Sequence, residues 1–104
     1  MTERIKAILT MLDSDPRDVF LRYSLGMEYV SAGQLPEAVG AFQACVEQDA
    51  GYLPARVELG KALRSAGRRD ESRQAFKAAL RLAEGRGESH MGDYIRQQLE
   101  GLGD

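Results

Sequence analysis

The chain has 104 residues, 43% of them apolar and 29% charged, and its 14 basic and 16 acidic side chains leave a formal net charge of -2. This composition is typical of a single globular domain with a small core, and it lacks the basic excess of nucleic-acid-binding domains. No apolar run approaches the roughly 18 residues of a membrane span, and the acidic residues of the first 15 positions argue against a secretory signal.

The first helix is predicted over residues 2–13. Its apolar side chains recur at i, i+3, i+4 and i+7, the stripe of an amphipathic helix: Ile5, Ile8, Leu9 and Leu12. Thr2 is the expected N-cap. The helix ends before Pro16, because a residue that precedes proline avoids helical angles, and Pro16 or Arg17 is predicted to begin the next helix.

Two helices separated by Gly33 follow. The first spans residues 17–32 and ends at Gly33, since glycine suits a left-handed C-cap. Pro36 opens the second helix in its first turn, where a missing N–H costs nothing, and this helix extends to about Gln48. Its inward side chains are predicted to be Ala38, Ala41, Phe42 and Cys45.

The same arrangement follows a second time. Pro54 begins a helix that ends at Gly67, and Asp70 is the expected N-cap of a helix that extends to about Glu84. Residues 85–92 (GRGESHMG) contain three glycines and are predicted to form a loop, and a last helix is predicted at about 89–101. No segment alternates apolar and polar residues over a strand's length, so the predicted fold class is all-α.

The two helix pairs are copies at a spacing of 34 residues. Ten residues of RYSLGMEYVSAGQLPEAVGAFQA, which starts at Arg22, recur in RVELGKALRSAGRRDESRQAFKA, which starts at Arg56. A repeat of this length is the signature of a solenoid. Glycine inside a helix costs about 1 kcal/mol relative to alanine, so its recurrence as Gly26 and Gly60 predicts close approach of a neighbouring helix. Ala38 is the expected small partner of Gly26.

The repeat resembles the tetratricopeptide repeat family, whose unit is a helix–turn–helix of 34 residues. The residues that carry the resemblance are Leu25-Gly26, Tyr29, Gly33, Ala38, Phe42 and Cys45 in the first copy and Leu59-Gly60, Gly67, Phe76 and Ala79 in the second. Among the departures, Arg22 and Arg56 replace an aromatic residue, and Ser72 stands where the family prefers alanine. The resemblance implies an α-α superhelix, a short right-handed solenoid of about six helices in antiparallel pairs, that binds proteins or peptides.

Residues 1–104 are therefore expected to form one domain. Its four parts are a half-repeat or cap helix at residues 2–16, the first repeat at 19–52, the second at 53–86, and a capping helix at 88–102. A solenoid needs about three repeats and atypical ends that cover its apolar faces, so both flanking helices are interpreted as caps. The alternative is that one of them contributes a surface for self-association.

The family generally binds its partners on the concave face, which the first helices of successive repeats form. The residues that map to this face are Phe20, Tyr23, Met27, Val30, Val57, Lys61 and Arg64. They favour an apolar peptide that carries an acidic or carboxylate group; the alternative is that Tyr23 and Met27 only pack on the N-terminal helix. Tyr23, Met27 and Glu58 occupy the places of the family's carboxylate clamp, so clamp-type chaperone binding is not supported.

Catalysis, metals and cofactors are not expected. Cys45 and His90 are the only thiol and imidazole, and they are predicted on an inward helix face and in a loop two helices later, so they do not form a nucleophile pair. They also lack the compact spacing of a metal site. Four arginines near the second hairpin turn are interpreted as solvated charge, with contact to phosphate or an acidic partner as the alternative: Arg64, Arg68, Arg69 and Arg73.

The leading hypothesis is a non-catalytic adaptor or scaffold that binds a protein or peptide, with no nucleic-acid or membrane partner. The alternatives are a self-assembling structural protein, which forms a homodimer through its exposed helix faces, and an RNA- or phosphate-binding helical repeat. Because Cys45 has no partner for an internal disulfide, a reducing, cytoplasmic setting is expected.

Overall fold

The structure is a computed structural model that describes residues 2–103. Within this range the chain forms six helices and no strand. The helices are α1 (Glu3–Ser14), α2 (Val19–Ser31), α3 (Leu35–Gln48), α4 (Leu53–Ser65), α5 (Arg69–Gly85) and α6 (Ser89–Leu102). The predicted all-α class is confirmed.

Each helix packs on the next one in the sequence, and the most extensive contacts lie within the pairs α2/α3 and α4/α5. The flanking helices pack on these pairs from either end, α1 on α2 and α6 on α5. This order extends the molecule along one axis, with dimensions of 39 × 28 × 19 Å. It is the arrangement that a 34-residue helix-pair repeat predicts.

Local side-chain chemistry determines where α1 and α2 begin. Thr2 is the N-cap of α1, as predicted, and its hydroxyl accepts the backbone N–H of Ile5 at 3.2 Å. The helix α2 begins at Val19, so the prediction of a start at Pro16 or Arg17 is wrong. The carboxylate of Asp18 accepts the N–H of Leu21 at 2.9 Å, and this N-cap satisfies a backbone donor that an earlier start would leave to solvent.

The start of α5 and the loop before α6 also differ from prediction. The N-cap of α5 is Arg68, and Asp70 lies in the first turn, where its charge suits the positive end of the helix dipole. Only residues 86–88 separate α5 from α6, so the predicted loop over 85–92 is too long. Gly87 adopts a positive φ of 69° and turns the chain within three residues.

The glycines that end α2 and α4 have the predicted left-handed conformation, with φ of 74° at Gly33 and 78° at Gly67. At each site the N–H that follows the glycine donates to the carbonyl five residues earlier. These bonds join Gln34 to Tyr29 and Arg68 to Leu63, both at 2.9 Å. They are Schellman motifs, and they give both hairpins the same turn.

The core consists of three clusters of buried side chains that follow one another along the solenoid. The first joins α1 to α2 and α3, the second joins α3 to α4, and the third joins α4, α5 and α6. Both flanking helices contribute to these clusters. The side chains of Ile5 from α1 and of Ile95 and Leu102 from α6 are fully buried.

The predicted close approach at the helical glycines occurs, but the partner is an aromatic ring. A Cβ atom at Gly26 would lie 2.7 Å from Cδ1 and 2.8 Å from Cζ of Phe42, so the nearest neighbour of Gly26 is Phe42 where Ala38 was predicted. Gly60 has the same relation to Phe76, at 2.8 Å from Cδ1. Each glycine leaves the space that the buried ring of the second helix fills.

Two departures from the family pattern also have structural roles. Ser72 is fully buried, and its hydroxyl donates to the carbonyl of Gly60 at 2.7 Å, which joins α5 to α4. Arg22 donates through Nε to the carbonyl of Pro16 at 3.2 Å, and Arg56 donates through Nε to that of Ala50 at 2.7 Å. In both copies the arginine therefore binds the turn that precedes its own helix.

Candidate partner-binding groove

A groove runs between α2 and α4 and contains two adjacent cavities. The Tyr23 cavity, of about 290 Å³, is lined by Tyr23, Leu53, Pro54, Val57, Glu58, Arg86, Glu88 and Met91. The Met27 cavity, of about 220 Å³, is lined by Met27, Val30, Leu35, Glu58, Lys61, Ala62, Arg64 and Ser65. Glu58 belongs to both cavities, so they are neighbours along the face of α4.

The structure brings six of the seven predicted site residues to this groove. Tyr23 and Val57 line the first cavity, and the second is lined by Met27, Val30, Lys61 and Arg64. Phe20 lines neither cavity, and it is 63% exposed on α2. Six of the residues predicted for the concave face therefore lie along two adjacent cavities.

Val57 presents little surface to a partner. Its side chain is only 4% exposed, and it belongs to the core cluster that contains Phe76 and Ile95. The same cluster includes Ile95 of α6, and the sequence position of Val57 alone does not show this. Val57 therefore belongs both to the wall of the Tyr23 cavity and to the core.

Tyr23 packs among aromatic rings and not on the N-terminal helix. Its ring centroid lies 5.9 Å from that of Phe42 and 5.7 Å from that of Tyr52, the latter edge-on. Burial raises the pKa of Tyr23, and the nearby Glu58 carboxylate raises it further. Tyr52, which is the N-cap residue of α4, was not predicted to contact Tyr23. Its position in the turn that joins the two copies is the sequence feature that could have indicated this contact.

Met27 also has its neighbours on the groove side. It packs against the cluster of Ala38, Phe42 and Ala62, whose residues come from α3 and α4. Met27 therefore does not pack only on the N-terminal helix, and that alternative is wrong. Half-buried and unbranched, it can adjust its side chain to a partner.

Two of the charged groups in the Met27 cavity neutralise each other. The ammonium of Lys61 lies 3.4 Å from the carboxylate of Glu58. Burial alone would lower the pKa of Lys61, but the Glu58 carboxylate and, to a smaller extent, the Tyr94 hydroxyl raise the pKa above its ordinary value. Lys61 therefore stays charged, and Glu58 already compensates its charge.

Arg64 has a different environment. Its guanidinium donates to the side-chain carbonyl of Gln98, which is neutral, and lies 6.0 Å from the ring centroid of Phe76. Among residues 2–103, none of the ion pairs includes Arg64. Arg64 is therefore a cation of the groove whose charge is not neutralised by an ion pair with any carboxylate of the described residues.

The other three arginines of the predicted basic group are engaged elsewhere. Arg68 pairs with Glu71 at 2.7 Å, and Arg73 pairs with Asp70 at 3.0 Å. Arg69 donates to the carbonyl of Leu102, and Arg73 to that of Gly103 at 3.0 Å. Two of these arginines thus bind the carbonyl end of α6, where cations are favourable.

Cys45 and His90 lie in unlike environments. Cys45 is fully buried, its thiol donates to the carbonyl of Val19 at 3.5 Å, and burial raises its pKa to about 11 although Arg22 opposes the shift. A thiol with such a pKa is a poor nucleophile. His90 is exposed, in the first turn of α6 and not in a loop as predicted.

Among residues 2–103, no three or more His, Cys, Asp or Glu side chains are grouped so that they could hold a metal ion. None of the helices in that range combines the length and the apolar character of a transmembrane span.

The sequence profile of the tetratricopeptide repeat family matches residues 29–91, more than half of the chain. The chain belongs to the tetratricopeptide repeat family. The match begins inside α2 and ends inside α6, so it includes all of α3, α4 and α5. The resemblance stated from the sequence is thereby confirmed.

One relative and two solved structures are similar to this chain. A TPR repeat-containing protein of Pseudomonas aeruginosa is 37% identical over 79 residues, which are 76% of this chain and 75% of that protein. A solution structure from Bordetella parapertussis superimposes with a TM-score of 0.83 at 28% identity, over 98% of this chain and 89% of the other. The TPR2B domain of yeast Sti1, in its pHsp70 complex, gives 0.87 at 16% identity, over 94% and 78%; at that identity the likeness shows the fold alone.

Proposed function

We propose that this tetratricopeptide domain is a non-catalytic adaptor or scaffold whose groove between α2 and α4 binds a peptide or a protein segment. The observation that carries the proposal is the pair of adjacent cavities with apolar walls, which open along the same two helices. The yeast Sti1 domain, which has the same fold, is seen in complex with pHsp70, and the proposal extends that kind of partner to this chain. The buried free thiol of Cys45 fits a cytoplasmic setting.

The arrangement of the two cavities favours an elongated partner. The cavities are adjacent, they have volumes of about 290 and 220 Å³, and Glu58 lines both of them. Val57 and Arg64, which line different cavities, are two helical turns apart, or about 10 Å along α4. An occupant that fills both cavities must therefore be extended, and a peptide with two apolar side chains fits this requirement.

A selection of random peptides on the immobilised domain, followed by calorimetric titration of the best binder, tests the proposal. The test variant is Val30→Glu, which places a charge in the wall of the Met27 cavity at a position that is already 38% exposed. The matched control is Phe20→Glu on the same helix, which is exposed and outside both cavities. We expect a loss of affinity of at least tenfold for Val30→Glu and none for Phe20→Glu. Equal losses, or none for Val30→Glu, would refute this location.

A homodimer is the second candidate, because Met11 is 53% exposed on α1. The positions that match Met11 in the 34-residue register are Cys45 and Ala79, and both are fully buried by their own helix pair. Light scattering on a size-exclusion column tests this candidate. A dimer at low micromolar concentration that Met11→Glu converts to a monomer would support self-assembly, and a monomer throughout would eliminate it.

A further inference from the structure

We propose that the groove recognises a peptide with an acidic side chain beside an aliphatic one, the carboxylate bound by Arg64 and the aliphatic group held in the Met27 cavity. This inference rests on the proposed function and adds the chemistry of the partner. It also assigns different roles to two cations that the sequence treats alike, Lys61 and Arg64.

The charges inside the groove are unequally balanced. Glu58 and Lys61 form an internal pair with side chains that are only 17% and 38% exposed, so a partner gains little by competing for either. Arg64 is half-buried, and its contacts are a neutral amide oxygen and an aromatic face. A half-buried guanidinium without an anion attracts a carboxylate, which it can bind through two parallel hydrogen bonds.

The surface next to Arg64 is the apolar wall of the Met27 cavity. The same cavity is walled by Met27, Val30, Leu35 and Ala62, all apolar. Its volume of about 220 Å³ lies below the usual range for a small-molecule site and suits a side chain. An aliphatic residue that enters this cavity brings the neighbouring residues of its own chain close to Arg64.

The net charge of the Met27 cavity disfavours an anion with two negative charges. The Met27 cavity contains one carboxylate, Glu58, beside its two cations, so its net charge is about +1. Arg68 and Arg73 pair with acidic residues, and Arg69 binds the end of α6. A single carboxylate matches this charge, whereas a phosphate with two negative charges would face Glu58 with too few cations.

Selection from a library of random 12-residue peptides that are fused to a carrier through their C-termini tests the inference, because only side chains can then supply the carboxylate. The wild-type domain is expected to enrich Asp or Glu next to Leu, Ile or Met. Arg64→Glu is expected to enrich Lys or Arg at that position instead. Lys77→Glu, with the same change of charge at an exposed site of α5, is the matched control and should select as wild type does.

Titrations with synthetic peptides complete the test. Replacement of the selected Asp by Asn, or of Glu by Gln, should weaken binding to wild type by about tenfold or more, as expected for a charge-assisted hydrogen bond, and should leave binding to Arg64→Gln unchanged. Circular dichroism establishes that each variant is folded; if Arg64→Glu is not, Arg64→Gln alone decides the question. Each peptide is measured with a free and with an amidated C-terminus.

The outcomes separate this inference from the proposed function. Peptides that bind the groove without an acidic preference, or with one that Arg64→Glu retains, overturn the inference and leave the function standing. A preference only for the free C-terminus overturns the assignment to a side chain. If wild type enriches no peptide over the empty support, both the function and the inference are refuted.

Discussion

The contact between Gly26 and the ring of Phe42 makes a sharp prediction about stability. Alanine is favoured over glycine in a helix by about 1 kcal/mol, so local propensity alone predicts that Gly26→Ala stabilises the domain. Its Cβ, however, would lie 2.7 and 2.8 Å from two ring atoms, whereas carbon atoms pack at about 3.5–4.0 Å. Phe42 is fully buried and cannot move away into solvent.

The cost of such overpacking is about 1–3 kcal/mol, and the upper end applies because several ring atoms are too close at once. Subtracting the gain in helix propensity leaves Gly26→Ala less stable than wild type by about 2 kcal/mol. Gly40 is the matched control, since it lies in the interior of α3 and a Cβ there would meet nothing within 4 Å. Gly40→Ala should be more stable than wild type by up to about 1 kcal/mol.

Urea unfolding followed by circular dichroism measures both variants. A difference of about 3 kcal/mol corresponds to midpoints about 2 M apart, if the slope for this small domain is about 1.5 kcal/mol per molar urea. In the Phe42→Leu background, Gly26→Ala should cost much less, because the ring atoms that obstruct the new methyl group are gone. If Gly26→Ala and Gly40→Ala unfold at the same urea concentration, the interpretation of the glycine–phenylalanine contact is wrong.

Two further predictions concern buried polar groups. Ser72→Ala removes the hydrogen bond to the carbonyl of Gly60 and should lower the free energy of unfolding by about 1 kcal/mol, whereas Ser65→Ala, at an exposed position, should change it little; equal effects in urea unfolding would contradict this role. The pKa of Cys45 is raised from 9.0 to about 11 in the folded state, so between these values the unfolded chain releases a proton that the folded chain retains. The free energy of unfolding should therefore be unaffected by this thiol below about pH 9 and should fall as the pH rises from 9 to 11, by about 2–3 kcal/mol in total. Urea midpoints of wild type relative to Cys45→Ala over this pH range measure the effect, and parallel curves for the two proteins would refute it.

The sequence predicted the fold well because the signals that end and begin these helices are local. Gly33 and Gly67 end α2 and α4 because each adopts a positive φ. Pro36 lies in the first turn of α3, where a residue without an N–H breaks no helical hydrogen bond. The errors occurred where two residues competed for one role. Pro16 was predicted to begin α2, but Asp18 caps the helix and α2 begins after it. Asp70 was predicted to cap α5, but it lies in the first turn of that helix.

The groove was harder to predict, since exposure depends on contacts between repeats. The 34-residue register places Met27, Val30 and Arg64 on one surface, and all three line the Met27 cavity. It does not show that Val57 is buried in the core or that Phe20 lines neither cavity. Nor does it distinguish Lys61 from Arg64, because their different environments arise from Glu58 and from Gln98, and Gln98 lies on another helix.

The contrast between these two kinds of position explains why the copies share some residues and not others. Gly26 contacts Phe42 within one helix pair, so the same pair of residue types can recur in every copy. Tyr23 instead contacts Tyr52 at the start of the next helix pair, and Arg64 contacts α6, which is not part of a full pair. A groove residue thus adapts to a neighbour that differs from one repeat to the next, and the chemistry that selects a partner is determined by contacts between repeats.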